Sequence, residues 1–97
     1  MRTIQTEFPE FPAMPEAAAL LAAGWLDQSW HNDTCPRFVS ADGGWCMFVD
    51  HPEPTHREDP EAGRFTVCAM DGEHISDCLY HGDDWQAACT AAEIVAP

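Results

Sequence analysis

Two reversals, each led by an aspartate, constrain this chain more than any other feature: Asp42-Gly43-Gly44 and Asp71-Gly72. Glycine at these positions supplies the positive φ that a tight antiparallel turn requires. Each reversal lies between two runs of strand length. Arg37 to Ser40 precedes the first, and Trp45 to Asp50 follows it, with Trp45, Met47 and Val49 on one face and Cys46 and Phe48 on the other. Around the second, Arg64 to Met70 turns Phe65, Val67 and Ala69 inward, and His74 to Tyr80 returns with Ile75 and Leu79 on the inner face. Two hairpins result. Trp25 to Trp30 alternates weakly and adds a candidate fifth strand ahead of the turn material His31–Pro36.

Helical patterns stand at the two ends. Pro15 fits a first helical position and Glu16 places a carboxylate where the helix dipole favours it. Met14, Ala18, Leu21 and Trp25 recur at helical spacing, and Gly24 is a stop, so a helix is predicted over 15–23. At the other end Asp83 or Asp84 caps a helix over 84–95, lined by Trp85, Ala88, Cys89, Ala92 and Val95. Residues 1–12, with Phe8, Phe11 and two prolines, form an extended arm whose aromatics pin it to the body. The fold class is α+β: a four- to five-stranded antiparallel meander bracketed by an N-terminal and a C-terminal helix, both packed on one face.

A chain of 97 residues, 45 % of them hydrophobic, has enough apolar surface for one domain with one modest core and too little for two. No window approaches the ~18 consecutive apolar residues of a membrane span. The Ala-rich run 17–23 follows an acidic stretch in which Arg2 is the lone cation, which does not describe a signal peptide. The chain reads as cytoplasmic. An odd number of cysteines (35, 46, 68, 78 and 89), none spaced CxxC, argues against a disulfide framework. Free thiols behave as small buried hydrophobes. Reduced, mostly buried cysteines are therefore expected.

His31 with Cys35, and His51 with His56 beside Asp50, Glu53 and Glu58, are the candidate metal groups. Zinc takes four N or S ligands in close local pairs. The intervening Asn32-Asp33-Thr34 and the following Pro36 read as a turn, so no helical face presents His31 and Cys35 together. No metal and no cofactor is expected. His31, Asp33 and Cys35 have the residue types of a nucleophile, base and orienting group, but five adjacent residues rarely fold into a triad. No nucleophile elbow and no phosphate loop is present, because Gly43-Gly44 belongs to a hairpin. The chain reads as a non-enzyme.

Charge is the remaining signal. Seventeen Asp and Glu face four cations, all Arg, for a formal charge of −13. That surface repels DNA, RNA and anionic lipid, and attracts basic proteins. Two readings stay open: an acidity shared across a proteome, or a surface that imitates nucleic acid. The second half of the chain concentrates the acids, at Asp50, Glu53, Glu58, Asp59, Glu61, Asp71, Glu73, Asp77, Asp83 and Asp84. Four of these lie in 51–63, a long exposed loop with three prolines and hardly an apolar side chain. Connections of that length are usually functional or mobile. These ten residues form the candidate partner-binding surface.

In size, charge and lack of a catalytic motif the chain resembles the small acidic inhibitors of phages and mobile elements, including nucleic-acid mimics and anti-CRISPR proteins. The resemblance spans the chain in general character and rests on no motif. It implies a protein of the host cytoplasm that occupies the basic surface of a nucleic-acid-handling complex and blocks substrate entry, without binding nucleic acid itself. Rival readings are a metal- or redox-responsive domain using His and Cys, and an accessory structural protein with no inhibitory role.

Overall fold

Both reversals form as the residues demand. Gly43 and Gly72 take φ of +77° and +63°. At the first, the Asp42 carboxylate accepts hydrogen bonds from the Gly44 amide (2.9 Å) and the Ser40 hydroxyl (2.8 Å). These two donors hold its acidity stronger than an ordinary aspartate's.

The computed structural model describes residues 3–93. In chain order it contains α1 (Ile4–Glu7), α2 (Pro15–Ala22), β1 (Leu26–Asp27), β2 (Arg37–Val39), β3 (Trp45–Val49), a 3-10 turn (Pro54–His56), β4 (Phe65–Asp71), β5 (His74–Gly82) and α3 (Trp85–Ala91). The strands make one open sheet in the order β1-β2-β3-β4-β5, every pair antiparallel. This is the α+β meander expected. Its long edge is β5 and its short edge is the two-residue β1. The strand Arg37–Val39 lies inside the sheet, because β1 pairs with it through Leu26↔Val39 and Asp27↔Phe38.

One face of the sheet carries the helices. Phe38, Met47, Val49, Phe65 and Val67 bury together with Ile4, Phe8, Met14, Ala17, Leu20, Trp25, Ala88 and Ala92 in one cluster. α2 ends in a Schellman arrangement: Trp25 N–H donates to Leu20 O and Gly24 N–H to Leu21 O, both at 3.0 Å, with Gly24 at φ +92°. Leu20 and Trp25, both buried, make the hydrophobic contact that accompanies this cap. The buried stripe of α2 is thus Met14, Ala17 and Leu20. The expected stripe through Ala18 and Leu21 is exposed. In so alanine-rich a helix, adjacent leucines give two nearly equal faces, and the cap chooses between them.

α3 matches its pattern. Asp84 caps it, accepting from the Gln86 and Ala87 amides (2.9 and 3.3 Å), and Ala88, Cys89 and Ala92 are buried. The helix stops at Ala91, with Ala92 as its C-cap and Glu93 at φ +56°, short of the predicted end at 95; Val95 lies outside the described residues. The N-terminal arm is less extended than expected. Thr3 and Thr6 form a reciprocal capping box around the single turn of α1. Phe8 is buried in the core cluster and Phe11 packs against it.

The largest departure is in β5. Its partners run Val67↔Tyr80, Cys68↔Cys78, Ala69↔Asp77 and Met70↔Ile75, with register shifts between Val67/Cys68 and between Ala69/Met70. Two extra residues on β5 therefore break its alternation. Ile75 pairs with Met70 on the face away from the helices, and Leu79 falls at a shift. Both were expected inside; they are 50 % and 46 % exposed. Cys78, one of the cysteines expected to be mostly buried, is exposed on this edge strand.

Candidate functional site

The loop 51–63 is built around Arg57. Its guanidinium, whose side chain is only 5 % exposed, donates from Nε to His51 O (2.7 Å), from Nη1 to Ala62 O (3.0 Å) and from Nη2 to Pro52 O (3.4 Å). Nη1 also meets Asp83 Oδ1 at 3.4 Å. One planar fork thus ties both ends of the loop to each other and to the end of β5. His51 is buried beside it. Its Nδ1 accepts from the Glu53 amide (3.0 Å), and its ring stacks on His56 (centroids 4.6 Å) and stands edge-on to Phe11 (5.0 Å). The two histidines suspected as metal ligands are therefore part of the loop's packing. Among the described residues no three of His, Cys, Asp and Glu converge as a metal group.

The loop closes against β5 through glycines. A Cβ on Gly63 would run into the backbone of Gly82, and the Gly63 amide donates to His81 Nε2 (3.0 Å). With Nε2 accepting, His81 carries its proton on Nδ1 and points it at the Thr66 hydroxyl 2.7 Å away. That pair is wired the wrong way round for His81 to activate Thr66 as a nucleophile.

Arg64, the second cation of the region, is equally occupied. It donates from Nε to Asp50 O (3.0 Å) and pairs through Nη2 with Glu16 of α2 (3.1 Å). Both arginines of the acidic half of the chain are spent on internal bonds. The acids around them divide into two sets. Asp50, Asp83 and Asp84 are structural: Asp50 accepts from His51 N (2.8 Å), Asp83 from Arg64 N (3.0 Å) and Arg57, and Asp84 caps α3. Glu53, Glu58, Asp59 and Glu61 are exposed on the loop, Asp71 and Glu73 at the β4–β5 reversal, and Asp77 on β5. At about 3.3 Å per residue, β4 separates the loop from the reversal by ~20 Å, and Asp77 stands between them. The acids thus frame the β5 side of the sheet at both ends.

Inside that frame lies apolar surface that sequence periodicity assigned to the core. Ile75 and Leu79 face solvent on β5, and no strand pairs with the outer side of β5 among the described residues. The helix-free face continues inward from β5 to a cleft of about 320 Å³ lined by Cys35, Phe48, Thr66, His81, Arg64, Glu58 and Asp59, among others. Period-2 reading missed this surface because it presumes an unbroken strand; no Gly or Pro within 74–81 marks the two shifts.

The buried thiols of this face are held in the protonated form. Burial, assisted by the carboxylate of Asp50, pushes Cys35 up to about 12. Burial pushes Cys68 up to about 11, and raises Cys46 against the opposing pull of Arg37. His31, paired on paper with Cys35, bonds instead to Glu7, its Nδ1 2.9 Å from Oε1, and this contact lowers the carboxyl of Glu7 below its usual range.

No family model matches the chain, and no characterised protein or solved structure is detectably similar to it. No helix among the described residues is long and apolar enough to cross a membrane.

Proposed function

We propose that the chain is a protein-binding inhibitor that sets its acidic frame against a basic, nucleic-acid-binding surface of a host complex, in the manner of nucleic-acid mimics and anti-CRISPR proteins. One observation carries the reading: Arg57 holds the loop 51–63 from within, so that Glu53, Glu58, Asp59 and Glu61 project from a fixed scaffold while their nearest cations are engaged internally. A mimic must present charge in a defined place, since electrostatic steering depends on where the carboxylates stand and not on net charge alone. The exposed Ile75 and Leu79 supply an apolar centre within a charged rim, the usual anatomy of a protein interface.

Charge reversal tests this. Glu58→Lys with Glu61→Lys leaves the Asp59 carboxylate in place to accept the Glu61 amide (3.0 Å), so the loop keeps its shape. Its matched control is Glu10→Lys with Glu93→Lys, exposed residues outside the frame. Association with the partner recovered by affinity capture should slow at least tenfold for the loop pair and far less for the control, and the difference should shrink as salt screens it. Equal losses from both pairs would mean that bulk charge, with no shaped surface, governs binding.

A further inference from the structure

Three cysteines stand in one lateral row across the sheet. Cys46 on β3 is the direct partner of Cys68 on β4, and Cys68 of Cys78 on β5. Cys46 alternates with Trp45 and Met47, and Cys68 with Val67, all of which join the core cluster, so the row lies on the helix-free face. Residues directly opposed on antiparallel strands have Cβ atoms about 4.5–5.5 Å apart. A disulfide needs about 3.5–4.5 Å between Cβ atoms, within a Cα separation of ~4.4–6.8 Å. Either neighbouring pair needs only a small approach of its strands.

We propose that Cys68 and Cys78 are a redox-responsive pair, closing to a cross-strand disulfide when the protein meets a peroxide. Three observations select this pair over Cys46–Cys68. Cys78 is exposed, whereas Cys46 is fully buried and Cys68 nearly so, so a peroxide reaches the row at Cys78 first. The Cys68–Cys78 pair sits between the two register shifts of β4·β5, while β3·β4 runs without a break from Trp45↔Ala69 to Val49↔Phe65. Finally, β5 has no strand on its outer side among the described residues, and the Cys78 thiol's contact to Tyr80 O (3.7 Å) is a weak one to exchange for a bond to Cys68.

The chemistry balances with hydrogen peroxide as oxidant. The Cys78 sulfur attacks one peroxide oxygen, the O–O bond breaks, and the departing hydroxide takes up the thiol proton as water. Cys78 is then a sulfenic acid. The Cys68 sulfur, the buried resolving thiol, attacks the Cys78 sulfur; the S–O bond breaks, and the hydroxyl leaves with the Cys68 proton as a second water. Two thiols lose two electrons and two protons, and one peroxide becomes two waters. The product joins β5 to β4 behind the Asp71-Gly72 reversal and fixes the strand that carries Ile75, Asp77 and Leu79.

The test treats the folded protein with a small excess of hydrogen peroxide, alkylates remaining thiols after unfolding, and maps peptides without reduction. Cleavage before Asp71 and Asp77 puts the two cysteines in separate peptides that only a disulfide joins. The expected result is a Cys68–Cys78 linked peptide at monomer mass, loss of two hydrogens, and reversal by dithiothreitol. Cys78→Ser, an exposed position that leaves the core intact, should abolish it, and Cys46→Ala should not. A Cys46–Cys68 link, a dimer joined through Cys78, or irreversible oxidation of Cys78 with Cys68 still free would overturn the proposal.

Discussion

At the scale of single residues, Arg57 explains why a polar, proline-rich segment holds a shape. In the sequence it stands as one of only four cations among seventeen acids. Nothing in a run of Pro, Glu and His announces that the one arginine among them will be buried, since the carbonyls that receive it come from both ends of the loop. Replacing Arg57 with Ala strips His51 O and Ala62 O of their charged donor. Stability should fall by about 2–3 kcal/mol, partly offset where water reaches the freed carbonyls. Arg57→Lys should recover only a fraction, because a single ammonium cannot reproduce the fork. Urea midpoints of the two variants measure this. The thiols add a pH dependence. Cys35 and Cys68 titrate near 12 and 11 in the folded chain and near 9.0 once unfolded. The unfolded state thus sheds protons first as pH rises. Stability contributed by these thiols is fully present below pH 9.0 and should decline from there toward 12 in reduced protein. A flat stability profile across that window would show both thiols to be as accessible as free cysteine.

Among the elements, those fixed by local chemistry were legible and those fixed by long-range register were not. The reversals at Gly43 and Gly72, the Gly24 stop, the Asp84 cap and the β3 alternation all follow from residues within a few positions of one another. The buried stripe of α2 and the faces of β5 do not. Leu20 rather than Leu21 points inward because of how the cap seats Trp25, and β5 loses its period at two shifts that only its pairing with β4 reveals. The distinction has a thermodynamic test. Ile75→Ser and Leu79→Ser should each change stability by no more than about 0.5 kcal/mol, as half-exposed positions do. Were they core residues, each would cost about 2 kcal/mol or more. Val67→Ala, at a fully buried position on the neighbouring strand, provides the contrast and should be plainly destabilising. The same surface was legible in charge and illegible in shape. Ten acids could be counted in the sequence, but not that three of them are consumed by a helix cap, a buried arginine and loop amides, nor that the rest frame an apolar edge.

The whole molecule presents two unlike faces. Three helices and the aromatic core cover one side of the sheet; the other carries a cysteine row, a cleft and a nine-residue edge strand between acidic ends. Under the proposed function, the chain's formal charge of −13 would set that second side against a basic surface that binds nucleic acid. The claim that this shape substitutes for a nucleic acid is tested most directly by competition. Labelled DNA or RNA is bound to the captured partner, and the chain is titrated in while the bound fraction is read. The account predicts full displacement at low salt, weaker displacement as salt rises, and no binding of the label by the chain itself. Binding of nucleic acid by the chain alone, or a partner that holds both together with unchanged affinity, would contradict it.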